Sequence, residues 1–353
     1  MLPAADPTPG QMYAPRGVWT DGERIVVCDS GNHRVLIWHR RPEVDGAAAD
    51  VVLGQPDMFG EGPAAGGTDV ERGLYLPTGV DVIDGNLVIA DAWHHRLVIH
   101  DGIPTGSFAR PGAVIGQADL TSVEPNRGGE PTLSTLYWPF GFAIVAGTFW
   151  VADTGNRRVL GWHGPHMPEA GRPADILLGQ DDPAQHSDNR GTGVGASTFR
   201  WPHAICGDDD TLLVADAGDH RLLGWTPPPR DHDRPADLVL GQSDADTNDE
   251  FKNRPQGSQR LRFPYSAVSF DGRLAVADTS NNRVLIWNSL PRSGSAIPAD
   301  AVLAQPDMDA NGENRWDAVC DDSLCWPYGM CAADGVLAIA DSGNNRVVLW
   351  HVP

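Results

Sequence analysis

The feature that most constrains the fold is an internal repeat of about 62 residues that runs through the whole chain. A short string, Asp29-Ser-Gly-Asn32-His-Arg34, returns five times at steps of 62 or 63 residues, and a proline precedes each of its aspartates by 14 residues. A period of this length is typical of repeat architectures, in which each unit packs against its neighbours. The aspartates and prolines are Asp29, Asp91, Asp153, Asp216, Asp278 and Asp341, after Pro15, Pro77, Pro139, Pro202, Pro264 and Pro327.

A second module follows each of the first five copies. It reads Ala-Asp-Val-Val-Leu-Gly-Gln55 in the first unit, and its glutamine stands 22 residues before the next proline in every occurrence. No second module follows the sixth copy. The five glutamines are Gln55, Gln117, Gln180, Gln242 and Gln305.

Each unit contains short runs of strand-forming residues that are separated by turn residues. Asp-Gly pairs such as Asp84-Gly85 and Asp334-Gly335 predict hairpins between the first two runs. Strand A follows the proline, strand B ends at the aspartate, strand C is the run that ends at Trp38 in the first unit, and the second module supplies strand D. No segment has sustained helical periodicity. The sequence therefore predicts an all-β, six-bladed β-propeller with about four antiparallel strands per blade and long connectors that collar one face.

We expect residues 1–353 to form this one domain, with its ring closed by the N-terminus. Because the sixth unit lacks a second module, residues 1 to about 13 are expected to run beside Val347 to Trp350 and help complete blade six. Pro3, Pro7 and Pro9 would interrupt a ladder there. The alternative is a sixth blade that is short of a proper fourth strand.

The charge of the chain narrows the choice of partners. Lys and Arg number 26 against 47 Asp and Glu, which gives a formal net charge of -21 and a surface that on average repels phosphate and anionic lipid. The first residues, MLPAADPTPGQ, have neither the basic nor the apolar region of a leader. Five cysteines, an odd number that is spread mostly singly, suit a reducing compartment. We therefore expect a soluble, cytoplasmic protein whose partners are small molecules or proteins, with no nucleic acid and no membrane.

The repeated string resembles the NHL repeat, whose signature ends in an Asn-His-Arg triplet. The resemblance is carried by Val27-Cys-Asp29-Ser-Gly-Asn-His-Arg34, by Ile339-Ala-Asp341-Ser-Gly-Asn-Asn-Arg346 and by the four copies between them, so it covers nearly the whole chain. NHL repeats imply a six-bladed propeller, and members of the family serve protein binding, RNA binding, extracellular sensing and, in the peptidylglycine amidating enzymes, lyase chemistry. The resemblance therefore does not fix the function.

Positions that differ between repeats are the ones that are free to recognise a ligand, whereas the repeated Asp, Asn and Arg are interpreted as structural groups that satisfy loop amides and carbonyls. The residue after each proline varies in charge and shape, and in a propeller it lies at the mouth of the central channel. Together these residues would form a polar, aromatic-lined pocket for a small molecule. The alternative is that they plug the channel and satisfy one another. They are Arg16, Thr78, Phe140, His203, Tyr265 and Tyr328.

The sequence predicts no metal site. The amidating lyases bind zinc through several histidines, and His203 stands where such a ligand would stand, but the other five channel positions carry no histidine. Further histidines occupy the slot before the repeated arginine, and we expect that slot to be solvated because its residue type varies. The slot holds His33, His95, Arg157, His220, Asn282 and Asn345.

Four cysteines could meet where blade six adjoins blade one. Cys28, Cys320, Cys325 and Cys331 would there form a metal or redox site. Their spacing matches no standard metal motif, and small buried thiols are the other interpretation.

Two classes of function remain open. The first is a propeller that binds a small molecule or a partner protein at the channel mouth and the collared face. The second is a lyase or hydrolase, with or without a metal, in which Tyr265, Tyr328 or His203 handles a proton and Arg16 orients an anion. No phosphate-binding loop, dinucleotide fingerprint or nucleophile elbow occurs in the sequence. The sequence identifies no catalytic residue and no cofactor, and it does not decide whether the chain is an enzyme.

Overall fold

The computed structural model describes residues 6–352, and most of its regular structure is strand. The strands form six separate antiparallel sheets that follow one another along the chain, which confirms the predicted six-bladed β-propeller. The longest helix among these residues spans five positions, Pro63–Gly67. No helix in this part of the chain is long and apolar enough to cross a membrane.

The strands of each blade run from the channel outward in the order A, B, C, D. Blade one has β1 (Gly17–Thr20), β2 (Ile25–Asp29), β3 (Arg34–Trp38) and β4 (Val51–Leu53). Blade two has β5 (Pro77–Ile83), β6 (Asn86–Asp91), β7 (Arg96–His100) and β8 (Ala113–Ile115). Blade three has β9 (Pro139–Val145), β10 (Thr148–Asp153), β11 (Arg158–His163) and β12 (Ile176–Leu178).

The second half of the ring follows the same plan. Blade four has β13 (Pro202–Gly207), β14 (Leu212–Asp216), β15 (Arg221–Trp225) and β16 (Leu238–Leu240), to which β20 (Gly294–Ser295) adds in parallel. Blade five has β17 (Pro264–Phe270), β18 (Arg273–Asp278), β19 (Arg283–Trp287) and β21 (Ala301–Leu303). Blade six has β22 (Pro327–Ala333), β23 (Val336–Asp341) and β24 (Arg346–His351).

Short 3-10 turns join strands B and C, and others lie in the connectors. The residue after each B-to-C turn is left-handed, with φ between 53° and 57°, a conformation that asparagine and histidine adopt more readily than branched residues. The B-to-C turns are Ser30–Asn32, Ala92–His94, Thr154–Asn156, Ala217–Asp219, Thr279–Asn281 and Ser342–Asn344. The connector turns are Pro125–Gly128, Asp188–Gly191 and Glu313–Trp316.

The strand register sorts the loops onto two faces. Pro77, at the start of strand A, pairs with Asp91, at the end of strand B, and Asp91 pairs with Arg96 at the start of strand C. The connectors and the B-to-C turns therefore share one face, which we call the connector face. The A-to-B hairpins lie on the opposite face, and Asp84 and Gly85 have the positive φ values, 52° and 77°, that a type I′ turn requires.

The core consists of six apolar clusters, one between each pair of neighbouring blades. Ala338 and Ala340 of blade six pack with Val18 and Leu36 of blade one, so the same packing closes the ring. The Gly329 N–H also donates to the Arg16 carbonyl oxygen at 2.8 Å across this junction. The junction between blades six and one is therefore packed in the same way as the other five junctions.

A buried ion pair holds each blade to its connectors. In blade three, Arg158 Nε lies 2.7 Å from Asp153 Oδ2, and neither side chain is exposed to solvent. The same guanidinium donates to the carbonyl oxygens of Thr132 and Thr135 in the preceding connector and of Pro183 in the following one. Equivalent Asp–Arg pairs recur in the other five blades, so the repeated residues are structural, as their repetition indicated.

Within residues 6–352, blade six has three strands and no strand D. Arg34 donates to the carbonyl oxygens of Thr8 and Gln11, and the Ala14 N–H donates to Asn345 Oδ1 at 2.8 Å, so this N-terminal segment is held between blades one and six. It forms no ladder with β24 in the described part of the chain. Residues 1–5, which the predicted closing segment included, lie outside the described residues, and closure by them stays a prediction.

We predict that Arg158→Leu lowers the free energy of unfolding by about 3–5 kcal/mol, because it leaves the Asp153 carboxylate buried without its counter-ion. The matched variant is Arg346→Leu in blade six, where the arginine side chain is 27% exposed and solvent compensates part of the loss. Urea unfolding of the two variants measures the difference. Equal losses would show that burial does not set the strength of these pairs.

Candidate functional site

The structure brings the six residues that follow the prolines together around the central axis. The His203 ring lies 4.0 Å from the Phe140 ring and 4.6 Å from the Tyr265 ring, centroid to centroid, and Tyr265 lies 4.7 Å from Tyr328. The Arg16 guanidinium carbon lies 5.1 Å from the centre of the Tyr328 ring, a cation–π contact. We call this set, with Thr78, the channel ring.

Two arcs of the channel ring differ in burial. Thr78, Phe140 and His203 are at most 5% exposed, and Thr78 Oγ1 donates to the Phe140 carbonyl oxygen at 3.0 Å, so this arc fills the channel. Arg16 and Tyr328 are only half-buried. The second arc therefore keeps polar groups that a ligand could contact, whereas the first arc resembles the plug interpretation.

Small residues next to the ring explain how the inner strands approach so closely. A Cβ atom on Gly79 would lie 2.7 Å from the Phe140 carbonyl oxygen, and one on Gly17 would lie 2.8 Å from the Thr78 carbonyl oxygen. In blades one, two, three and six, glycine therefore lets the inner strand contact the backbone of the next blade. This contact fixes the backbone from which the ring residues project into the channel.

A cavity of about 270 Å³ lies inside the channel, and every residue of the channel ring except Tyr328 lines one end of it. Its walls are inner-strand residues as far as Val145, Gly207 and Ala332, which lie near the A-to-B hairpins, and no connector residue lines it. The cavity therefore extends from the ring towards the hairpin face, away from the connectors. Binding of a ligand by the six ring residues stays a prediction.

Asp81 is a cavity residue that the sequence analysis missed. Its Oδ1 accepts the Val82 N–H at 2.7 Å, and it has no side-chain partner among residues 6–352. Burial raises the pKa of this carboxyl group. Asp81 is the single charged residue of the six inner strands, and the equivalent positions of the other repeats carry Trp19, Ala143, Cys206, Val268 and Cys331. That contrast is the sequence signal that could have identified it.

The titratable groups of the channel ring have pKa values that do not favour proton exchange near neutral pH. Burial lowers the pKa of His203 to about 3, and its Nδ1–H donates to the Trp201 carbonyl oxygen at 2.8 Å, which fixes a neutral tautomer. Burial also raises the pKa of both Tyr265 and Tyr328. Near neutral pH these three side chains keep one protonation state.

An aromatic crown, also missed, surrounds the channel on the connector side of the ring. Trp138 lies 6.3 Å from His203 and 6.2 Å from Trp93, and Trp93 is 46% exposed. We define the crown by Trp93, Tyr137, Trp138, Trp201, Phe263 and Trp326. The sequence signal is that four of the six residues before the repeated prolines are aromatic, namely Trp138, Trp201, Phe263 and Trp326.

The expectation that the slot before each repeated arginine is solvated is wrong for His95, His220 and Asn282, which are buried, whereas Asn345 in the same slot is exposed. In the described structure, His33 Nδ1 accepts the Leu76 N–H at 3.1 Å, and His95 Nδ1 accepts the Trp138 N–H at 3.1 Å. The slot residue thus bonds the residue that precedes the next blade's proline. The other acceptors in the same position are His220, Asn282 and Asn345.

Arg157 is the exception in this slot because a guanidinium has no acceptor. Its Nε lies 2.6 Å from Asp188 Oδ1 instead. The N–H that a slot residue would accept, that of Trp201 in the next blade, donates to Asp216 Oδ1. The slot residues are therefore clasps between neighbouring blades. Histidine and asparagine both serve in this slot because each places one hydrogen-bond acceptor at the same point.

The cysteines form no common site in the described part of the chain. All five are free, and Cys28, Cys206 and Cys325 are buried. Burial raises the pKa of Cys325 and of Cys331 to about 11, so both remain neutral thiols near neutral pH. Among residues 6–352, no group of three or more His, Cys, Asp or Glu side chains is arranged to hold a metal ion.

Similar solved structures share the propeller fold. A gluconolactonase from Xanthomonas campestris is 15% identical, with a TM-score of 0.50, and the match covers 99% of this chain and 88% of that one. A virginiamycin B lyase from Staphylococcus aureus, solved with quinupristin, is 10% identical, with a TM-score of 0.46 and coverage of 98% and 87%. No family model and no curated protein matches the chain. Identities this low show the fold alone.

We predict that His95→Asn flattens the pH dependence of stability. The pKa of His95 is lowered by burial from 6.5 to about 4, so the unfolded chain takes up a proton first, and stability falls as the pH drops from 6.5 towards 4. Asparagine keeps the clasp, as Asn282 does, but does not titrate. Between pH 7 and pH 5 the variant should lose about 1–2 kcal/mol less than the native protein in urea unfolding. The reciprocal variant, Asn282→His, should lose more, and the opposite order would contradict the clasp.

We predict that Asp81→Asn stabilises the protein without ligand by about 1 kcal/mol at pH 7, because it removes the cost of ionising a buried carboxyl group. Since the pKa of Asp81 is raised above 3.8, the gain should shrink as the pH falls towards 4 and both states take up a proton. Urea unfolding at the two pH values measures it, with the exposed Asp209→Asn as the control. A loss of stability would reveal a structural role for Asp81.

Proposed function

We propose that this protein is an NHL-type propeller that binds a small molecule in the channel cavity. The observation that carries the proposal is Asp81, a carboxylate with no side-chain partner in the described residues that lines a cavity of about 270 Å³. An unpaired carboxylate at a largely buried position destabilises a fold, and such groups are retained where a ligand needs them.

The cavity walls indicate the chemistry of the ligand. Trp19, Phe142 and Val268 supply apolar surface, and Asp81 offers a negatively charged hydrogen-bond acceptor. Arg16 supplies a donor at the ring end of the same cavity. A compact molecule with an apolar body, a protonated amine for Asp81 and an acceptor for Arg16 would satisfy both charges.

The aromatic crown favours a second candidate, the binding of a partner protein on the connector face. Trp93 and Trp326 are 46% and 45% exposed, and clustered exposed aromatic residues are typical of binding surfaces. Catalysis by a lyase or hydrolase mechanism has weaker support. The pKa values of His203, Tyr265 and Tyr328 lie far from neutrality, which does not suit the proton-transfer roles considered for them.

The net charge of the chain limits the partners that we propose. The formal net charge of -21 disfavours nucleic acid and anionic membranes, so we propose small molecules and proteins as the partners. The free cysteines support a cytoplasmic location.

The test is calorimetric titration with three matched sets of small molecules: primary amines, carboxylates and amino acids. We expect binding by molecules that carry an amine and about tenfold or greater weakening in Asp81→Asn, because a charge-assisted hydrogen bond is lost. Asp209→Asn is the control, since its carboxylate is exposed and is not among the groups that line the cavity.

Two outcomes would redirect the proposal. Binding that is unchanged in Asp81→Asn but lost in Trp138→Ala would move the site from the cavity to the aromatic crown. Turnover of a bound molecule, detected as a new product, would restore the lyase or hydrolase alternative.

A further inference from the structure

A second concavity lies at the outer edge of blade six, remote from the channel. It is a groove of about 750 Å³ that runs beside β24. Residues 6–13 and 42–47 contribute to its lining, and so do Val347, Val348 and Leu349 of β24. We call it the edge groove. Within residues 6–352, no strand pairs with this side of β24.

The other five blades show what occupies the equivalent place. In blade one, β4 pairs with β3 through Val35–Leu53, Leu36–Val52 and Ile37–Val51. The Asp50 N–H donates to the Ile37 carbonyl oxygen at 2.9 Å, so the polar backbone of Ile37 faces strand D. The same contact recurs at Ile99, Gly161, Gly224 and Ile286.

Leu349 is the equivalent residue in blade six, three positions after the repeated arginine. Its carbonyl oxygen receives no such donor from residues 6–352. The Trp350 indole also lacks the acceptor that Trp38 and Trp287 find in the carbonyl oxygens of Ala47 and Ile297. In blade six, the groups that contact strand D in the other five blades therefore have no strand D to contact within residues 6–352.

The described N-terminal segment does not occupy the strand D position of blade six, because it makes the contacts that a connector makes in the other blades. Arg34 bonds the carbonyl oxygens of Thr8 and Gln11, as Arg96 bonds those of Val70 and Gly73. Strand D of each complete blade lies 24 to 26 residues before the next proline, whereas residues 6–13 lie only 2 to 9 residues before Pro15. Residues 6–13 border the groove without filling the strand position.

We propose that the edge groove binds an extended segment of a partner polypeptide, which adds to blade six as its fourth strand. The five internal strands define the segment as an aspartate or small residue followed by three apolar residues, such as Asp237-Leu-Val-Leu240. The groove lining carries Asp6, Glu43, Asp45 and Asp321, whereas its one arginine, Arg346, is paired with Asp341. A basic residue beside the apolar run therefore complements the charge of the groove.

The experiment uses a fluorescent synthetic peptide with the sequence of residues 234–242, Arg-Pro-Ala-Asp-Leu-Val-Leu-Gly-Gln. It supplies the apolar run and a basic residue, Arg234. Anisotropy titration with the full chain should show saturable binding of one peptide per protein. A peptide with proline in place of Leu240 should bind about tenfold more weakly, because it loses an N–H that faces strand C in blade four.

The matched protein variants are Leu349→Pro and Leu349→Val. Proline removes the outward N–H of β24, so Leu349→Pro should not bind the peptide. Valine keeps that N–H and has a similar volume, so the dissociation constant of Leu349→Val should lie within about twofold of that of the native protein. Circular dichroism checks that both variants are folded. The proline-containing peptide tests the ladder with the native protein even if Leu349→Pro does not fold.

Three outcomes would overturn the proposal. The first is no binding, or equal binding of the two peptides. The second is binding that appears only after deletion of residues 2–5, which would assign the groove to the chain's own first residues. The third is dimerisation of the native chain in sedimentation that Leu349→Pro abolishes, which would assign the edge to a second copy.

Discussion

The buried pair between an aspartate at the end of strand B and an arginine at the start of strand C is the interaction on which the rest of the structure depends. Removing two charges from water is costly, and the cost is offset only when every remaining donor and acceptor is satisfied. Arg158 meets this demand with Asp153 and with carbonyl oxygens in both flanking connectors. The second oxygen of Asp153 accepts the Tyr137 N–H at 2.7 Å. One pair thus fixes the sheet, the connector before it and the connector after it.

The position of the candidate site follows from that pair. Asp153 accepts the Tyr137 N–H, and two residues later Pro139 begins the inner strand. The next side chain, that of Phe140, therefore lies in the channel. Because the backbone is held by repeated contacts, the residue at that point can change from blade to blade without loss of the fold. The channel ring therefore combines a cation, a hydroxyl, an imidazole and aromatic rings on one scaffold.

The sequence predicted the parts of the structure that repeat, and it failed where contacts cross between repeats. Strand order, hairpins and the place of the channel ring follow from spacing and turn residues. Asp81 was missed because the ladder shifts register between Pro77 and Gly79, which disguises the alternation that would mark it as facing the channel. The sequence does not reveal the clasp of His95 because its partner, Trp138, is 43 residues away, and a slot whose residue type varies resembles a solvated one.

The sixth blade links the edge groove to the central interaction. In the five complete blades the arginine Nη1 donates to a carbonyl oxygen of the connector that follows strand D, such as Met58 for Arg34 and Leu120 for Arg96. Arg346 lacks this acceptor among residues 6–352, and its side chain is 27% exposed where those of the five others are fully buried. A segment that continued a few residues beyond a fourth strand would supply the missing carbonyl oxygen. Its binding would then be stabilised by completing a buried charge network as well as by a β-ladder.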